Sequence, residues 1–372
     1  MRTVVYIISG INKSFAFEWI AEQLDKDQFN LSFILLNQHT SLLEKYLIEN
    51  NFNVYNIRYR GKRDLLTAFL KVYFILKRLR PDVIHTHLLE ASMIGLSAAK
   101  LANIKKRVYT RHHAMDNHLF AKPILPYDKF INYLATDIVA ISENIKNILA
   151  QREGVPLCKL HLIHHGFKLD YFSSVSEDNV SRLKEKLQLQ HSAPIIGVIS
   201  RYMEWKGIQY IIAAHKELLK KYPNAVLILA NTEGNYKKEI RSLLKELSPE
   251  NYREIAFEED VFSLYKLFNV FVHVPINSEV EAFGQTYVEA LASGIPSVFT
   301  LSGIASEFIV NRENALVVPF RDSMAIFYAI VELLVNKNLA GSISYNGREA
   351  VKKRFELDKM IQSLEKLYSL KE

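Results

Sequence analysis

Short apolar runs alternate with stretches of helical periodicity along the whole chain. In the first half "TVVYII", "LSFILL", "FNVYNI", "DVIHTH", "KRVYTR", "DIVAIS" and "KLHLIH" read as strands. Between them, segments such as "SFAFEWIAEQL" and "ASMIGLSAAKLA" space their apolar residues as helices do. From Pro194 the series restarts with "IIGVIS", "AVLILA", "EIAF", "VFVHV", "PSVFT" and "ALVVP". Nearly continuous apolar strands alternating with helices are the mark of parallel sheets covered on both faces. The polar stretch "SSVSEDNVSRLKEKLQLQHSAP" (173–194) separates the two series and is expected to hold a linker. The pattern predicts two α/β domains, 1–175 and 176–350.

Composition agrees with that division. A chain of 372 residues, 49% apolar and 11% aromatic, is too long for one core and has material for two. Cys158 is the only cysteine, which excludes an internal disulfide and a Cys-based zinc site and fits a reducing cytoplasm. The opening "MRTVVYIISGINKS" is too short in apolar residues for a secretion signal and reads as a buried first strand. No apolar segment reaches the roughly 20 residues that span a bilayer. The expected location is cytoplasmic, at most peripheral on the inner face of the membrane.

Charge changes the picture in one place. The net charge of +7 resides in residues 1–175, which carry eight more basic than acidic side chains; the remainder carries one fewer. Within "RYRGKRDLLTAFLKVYFILKRLR" (58–80) there are eight basic residues and one acid. Aromatic and apolar residues mixed with that charge suit an anionic membrane surface. The same segment also reads as a sheet-covering helix, with Leu65, Phe69 and Leu76 in the core and Arg58, Arg60, Lys62 and Arg63 outside. The two readings are compatible. No feature calls for a nucleic-acid partner.

Open parallel sheets bind ligands beyond the carboxyl ends of their strands. Gly10, His85, His87, His112, His113 and His165 fall there in the first half, and Arg201 and Glu281 in the second. In "EAFGQTYVEALASGIP" a Gly at 284 precedes a helix expected from Gln285. Glu281 and Glu289 flank that helix start, where free N–H groups and the helix dipole favour an anion. Carboxylates accept paired hydrogen bonds from neighbouring hydroxyls, so a ligand with a sugar, a phosphate and a ribose suits the stretch. In "VISRYMEWKGIQYIIAA", Arg201 and Lys206 precede a second helix and would neutralise a diphosphate without a metal. The chain lacks G-x-x-x-x-G-K-[ST], and "SGINKS" has one Gly where a dinucleotide fingerprint needs three. His85 and His87, two apart on one strand, leave open a zinc site completed by His112 or His113. Ser142 reads as a helix cap.

With those motifs in order, the chain resembles the retaining glycosyltransferases of family 4, which have the GT-B fold. "EAFGQTYVEALASGIPSV" is similar to the family's E-x7-E segment and "ISRYMEWKGIQYIIAA" to its diphosphate loop. "PDVIHTHLLEASMIGLSAAKLANIKKRVYTRHH" and "DIVAISENIKNIL" resemble its acceptor-domain segments, and "REAVKKRFELDKMIQSLEKLY" resembles its closing helices, which implies a C-terminal helix at 351–372 packing back towards the N-terminal domain. The resemblance implies two Rossmann-like domains, with parallel sheets facing across a cleft. It implies Glu281 on the donor sugar, Glu289 on the ribose, and Arg201 with Lys206 on the diphosphate. It also implies the turn Phe283, Gly284 and Gln285 against sugar or phosphate, and His112, or His113 beside it, on the transferred sugar. Gly10 is a further donor-contact candidate, although "SGINKS" lacks a Gly pair frequent in the family, and His165 stands where Asn is usual. The expected activity is transfer of a hexose or N-acetylhexosamine from a nucleotide sugar, UDP-linked before GDP-linked, to a glycan or lipid-linked acceptor hydroxyl, with no cofactor or metal. A GT-B sugar-nucleotide epimerase and a non-catalytic nucleotide-sugar-binding module are the alternatives.

Overall fold

The computed structural model describes residues 1–115, 118–119, 121–191 and 193–370. Two compact units divide the chain: residues 1–167 with the segment from Leu357 onward, and Lys168–Glu356. Every expected strand forms, the one expected at 254–257 lying two residues earlier, at Tyr252–Ile255.

In the first unit the strands are β1 (Arg2–Ser9), β2 (Phe29–Asn37), β3 (Asn53–Arg58), β4 (Val83–His87), β5 (Lys106–Arg111), β6 (Asp137–Ala140) and β7 (Leu160–Leu162). They form one parallel sheet in the order β3-β2-β1-β4-β5-β6-β7. β1 is buried from Val4 to Ser9 and β4 along its whole length, which is why both read as unbroken apolar runs. The order reverses between β1 and β4, and the carboxyl ends there open a crevice in sheets of this type.

The second unit repeats the plan with β8 (Ile195–Ile199), β9 (Val226–Ala230), β10 (Tyr252–Ile255), β11 (Val270–His273), β12 (Ser297–Phe299) and β13 (Leu316–Val317). The order β10-β9-β8-β11-β12-β13 is again parallel and reverses between β8 and β11. Ile196, Val198, Leu227, Leu229, Val270 and Val272 of the sheet pack with Ile208, Ile211, Ile212 and Leu218 of the covering helix.

The boundaries fall differently from those expected at 175 and 350. Phe172 is buried against Phe262 and Tyr265, which ties residues 168–175 to the second unit. Phe355 packs on Phe283 and Phe308, so the second unit runs on to Glu356. The expected linker 173–194 contains the helix Glu177–Lys186, whose Leu183 is buried. Ser142 caps its helix as expected, its Oγ accepting from the Ile145 N–H at 3.2 Å.

The basic stretch becomes the helix Leu65–Leu79, buried along Ala68, Val72 and Leu76. Leu76 is core as expected and Phe69 is half-buried. Leu65 is not core: with Leu66 it is exposed in the first turn, off the buried stripe of Ala68, Val72 and Leu76. Among the described residues no single helix is long and apolar enough to cross a membrane.

Candidate active site

The loop after β8 meets the loop after β11 because Gly207 permits it. Gly207 has φ +76°, and a Cβ there would lie 2.0 Å from the Val274 carbonyl oxygen. The Ile276 N–H donates to the Trp205 carbonyl at 3.0 Å, closing the same contact. Lys206 is thereby brought to Glu281. Its ammonium lies 2.6 Å from Glu281 Oε2 and 4.5 Å from the centre of the Trp205 ring. The same Oε2 lies 3.1 Å from His273 Nε2. His273 ends β11, and its ring meets Tyr287 edge-on at 4.7 Å.

Burial by itself would raise the Glu281 carboxyl. The Lys206 ammonium, then the hydrogen bond with His273, outweigh burial and hold it down at about 2. Burial pushes His273 below the usual imidazole range, with the Glu281 hydrogen bond opposing. A neutral His273 therefore donates its Nε2–H to an ionised Glu281. Sequence reading passed over His273, although the strand-end rule that selected His87 applies to it equally.

Gly284 has φ +84° and precedes the helix Gln285–Ala292. A Cβ there would come within 2.6 Å of the Tyr287 ring and 3.0 Å of Glu281 Cγ. The glycine is required by its own neighbours. Gln285 is exposed at the helix start, and beside it Thr286 Oγ1 is buried without a partner among the described residues. Phe283 turns its ring into the core against Phe355, and its carbonyl accepts from the Ile304 N–H at 3.0 Å. Arg201 is exposed and makes no ion pair with a described residue.

Glu289 Oε2 accepts from the buried Tyr265 hydroxyl at 2.7 Å. Burial raises this carboxyl to about 6, the Tyr265 hydrogen bond opposing. The two glutamates of the motif are thus unlike, one firmly ionised and the other titrating just below neutrality. Tyr265 carried no signal in the sequence, lying in a helix 24 residues from its partner.

In the first unit the carboxyl ends of β4, β5 and β7 bring three histidines into a row. His87 Nδ1 lies 3.1 Å from His112 Nε2, and the His112 ring stacks on His165 at 5.7 Å. Burial first, and then neighbouring histidines, hold His87 and His112 well below the usual range and His165 at about 4. All three are neutral imidazoles at pH 7. His87 Nε2 is buried with no partner among the described residues.

The other two histidines serve the fold. His85 is buried, with Nδ1 2.6 Å from the Tyr368 hydroxyl and Nε2 2.6 Å from Thr110 Oγ1, so it does not line a site. His113 Nε2 bonds Asp128 at 3.0 Å. Asp128 and Glu153 flank Arg111, which is 0% exposed, at 3.5 and 2.7 Å. Of the neighbouring pair, His113 anchors the loop on this buried ionic group, and His112 joins the histidine row. Gly10 follows β1 directly, with φ +65° and open space on its Cβ side. Among the described residues no group of three or more His, Cys, Asp or Glu side chains has a metal-holding arrangement.

Two parallel-sheet units, each with polar residues at its strand-order reversal, define a two-domain Rossmann-like enzyme of the GT-B fold. Comparison with known proteins gives the family. "Glycosyltransferase Family 4" matches residues 20–171 and "Glycosyl transferases group 1" matches residues 179–350. The chain belongs to glycosyltransferase family 4 and is a glycosyltransferase. It is 28% identical to the capsular polysaccharide biosynthesis glycosyltransferase CapM of Staphylococcus aureus, over 83% of each chain. It is 25% identical to alpha-monoglucosyldiacylglycerol synthase of Acholeplasma laidlawii, over 82% of this chain and 79% of that one. The crystal structure of Anabaena HepE in complex with UDP and glucose superposes with a TM-score of 0.84 at 20% identity, covering 100% of both chains.

Proposed function

We propose that the protein is a retaining hexosyl- or N-acetylhexosaminyltransferase that uses a UDP-sugar, metal-independently, in cell-surface polysaccharide or lipid-linked glycan synthesis. The observation that carries this reading is Glu281, held ionised by Lys206 and His273 at the carboxyl end of the strand β11 that borders the order reversal. The UDP and glucose bound in HepE, and the capsule and glycolipid products in the names of CapM and its Acholeplasma counterpart, favour the donor and product classes.

In the proposed reaction the bond from the sugar's anomeric carbon to the diphosphate oxygen breaks. The acceptor oxygen bonds that carbon on the same face, and its proton passes to the departing phosphate. Arg201, Lys206 and the N–H groups opening the helix Gln285–Ala292 stabilise the charge growing on the leaving group. Glu281 orients the sugar hydroxyls and is not a covalent nucleophile; it is already committed to two partners through Oε2. Glu289 takes the ribose, and His112 is assigned to the transferred sugar. Since the protein supplies the countercharge, no metal is required. The exposed face of the helix Leu65–Leu79, apolar and basic, rests on an anionic bilayer surface.

The test is thermal melting of the purified chain with UDP, GDP, ADP and their sugars, with and without EDTA. UDP at about a hundredfold excess over its Kd should stabilise by roughly 2.7 kcal/mol, unchanged by EDTA. A response to GDP or ADP instead would reassign the donor. No response to any nucleotide would remove the donor site.

A further inference from the structure

The short helix Val261–Lys266 braces the helix Gln285–Ala292 at two points. Asp260 caps its start, Oδ1 accepting from the Ser263 N–H at 3.0 Å. At its end the Lys266 ammonium donates to the Ser293 carbonyl at 2.9 Å, just past the longer helix. Between these anchors the Tyr265 hydroxyl donates to Glu289 Oε2 at 2.7 Å. Tyr265 is 0% exposed, its ring set among Phe172, Phe268 and Phe271 at 6.2, 6.0 and 5.5 Å. Burial first, and then the charge of Glu289, push its hydroxyl well above the usual phenol range, so it stays a donor.

Glu289 is half-buried. Its Oε2 is taken by Tyr265, while Oε1 makes no hydrogen bond with a described residue and stays in reach of solvent. The last torsion of a glutamate is broad, so a carboxylate with two free oxygens swings between many planes. The Tyr265 bond removes that freedom. Oε1 keeps two lone pairs, enough to accept from two neighbouring hydroxyls.

We infer that Tyr265 is a positioning residue for the donor's ribose, holding Glu289 so that Oε1 is the acceptor for the 2′- and 3′-hydroxyls. This rests on the proposed role of Glu289 at the ribose. The charged groups nearby are otherwise engaged. Lys266 is turned to the Ser293 carbonyl, Arg348 lies against Gly294 beyond the helix end, and Glu281 is held by Lys206 and His273. Burial and the Tyr265 bond are what set Glu289, which titrates at about 6. The ionised form is the stronger acceptor, and without the Tyr265 bond the carboxyl moves up and its ionised form is lost at a higher pH.

The experiment measures binding of UDP and 2′,3′-dideoxy-UDP to the full chain by calorimetry between pH 5 and 8. The wild type should hold UDP at least about tenfold more tightly than the dideoxy compound, the scale of a hydrogen bond to a charged group. That preference should fade below about pH 6. Tyr265→Phe keeps the ring and removes only the hydroxyl. At pH 7 it should weaken UDP at least about tenfold and leave dideoxy-UDP within about twofold of wild type. What preference remains should fade at a higher pH than in the wild type. UDP binding unchanged in Tyr265→Phe overturns the inference. So does an equal loss of both nucleotides, because a residue that only supports the fold does not sense the ribose hydroxyls. A second measurement needs no variant: the Tyr265 ζ-carbon signal of the wild type should titrate with Glu289 at about pH 6. UDP, but not dideoxy-UDP, should move that midpoint down, since binding favours the ionised carboxylate. A midpoint indifferent to UDP also overturns the inference. Glu289→Ala separates it from the reading beneath it. If that variant binds UDP as the wild type does, the ribose role falls and the inference with it. If it loses the preference for UDP while Tyr265→Phe keeps it, only the inference falls.

Discussion

Glu281 Oε2 is shared by an ammonium and an imidazole, and each keeps the carboxylate charged in a place that disfavours charge. Removing Lys206 takes away the larger of the two effects that oppose burial, so the Glu281 carboxyl should rise from about 2 towards or above the ordinary carboxylate range. In the proposed reaction Glu281 accepts sugar hydroxyls only when ionised, so activity of the variant should fade at a higher pH on the acid side. Lys206→Ala should also lower turnover at least about a hundredfold, the usual cost of losing a preorganised contact to developing charge. A pH profile of kcat/KM for wild type and variant reads both effects. Turnover within tenfold of wild type, with an unmoved acid limb, would mean that the pair serves stability only.

Among the elements, the helix Leu65–Leu79 has one face that the fold leaves unexplained. Leu66, Leu70 and Phe74, at four-residue spacing, are 69%, 44% and 65% exposed. Lys62, Arg63, Lys71, Lys77 and Arg78 lie on or beside the same helix and are exposed too. An apolar stripe set among cations is the pattern of a helix lying in a bilayer interface, each nearby cation adding about 1 kcal/mol on an anionic surface. Flotation with vesicles should therefore show binding that needs anionic lipid and weakens with salt. Phe74→Ser, at an exposed position, should reduce it about tenfold or more while leaving the melting temperature unchanged. Binding indifferent to lipid charge, salt and this substitution would leave the stripe without a membrane role.

For the molecule as a whole, buried neutral histidines set the response to acid. Burial holds His85 at about 3 and His215 at about 4, both below the ordinary value of 6.5. The unfolded chain then binds more protons than the folded one once pH drops below about 6.5, so the stability from keeping these rings neutral is present above that pH and lost below it. Each should cost roughly 1.4 kcal/mol by pH 5.5. Melting curves between pH 8 and 5 should be level at the upper end and fall below about 6.5. A melting temperature that is flat to pH 5 would mean that these rings are hydrated in solution.

Strand positions were legible in the sequence because a parallel strand covered on both faces must be apolar throughout, and that is a local property. The sequence singles out Glu281, Glu289, Arg201, Lys206 and His112 as candidates because their types and spacing, with the family resemblance, need no knowledge of contacts. The pairing of Lys206 with Glu281 across 75 residues was not legible, since it depends on the close approach of two loops at Gly207. Neither was the difference between His112 and His113, of which only His113 is tied to Asp128 on a separate helix. Leu65 was misplaced because helical periodicity fixes spacing, not the rotation at which a helix meets its sheet. The domain boundaries moved because aromatic packing around Phe172 and Phe355, and not the polarity of the segments, decides where a unit ends. What the sequence determined was the order of elements and the inventory of reactive groups. Which of those groups touch, and which are held neutral or charged by burial, only the tertiary structure decided, because contact and desolvation belong to residues distant in the chain.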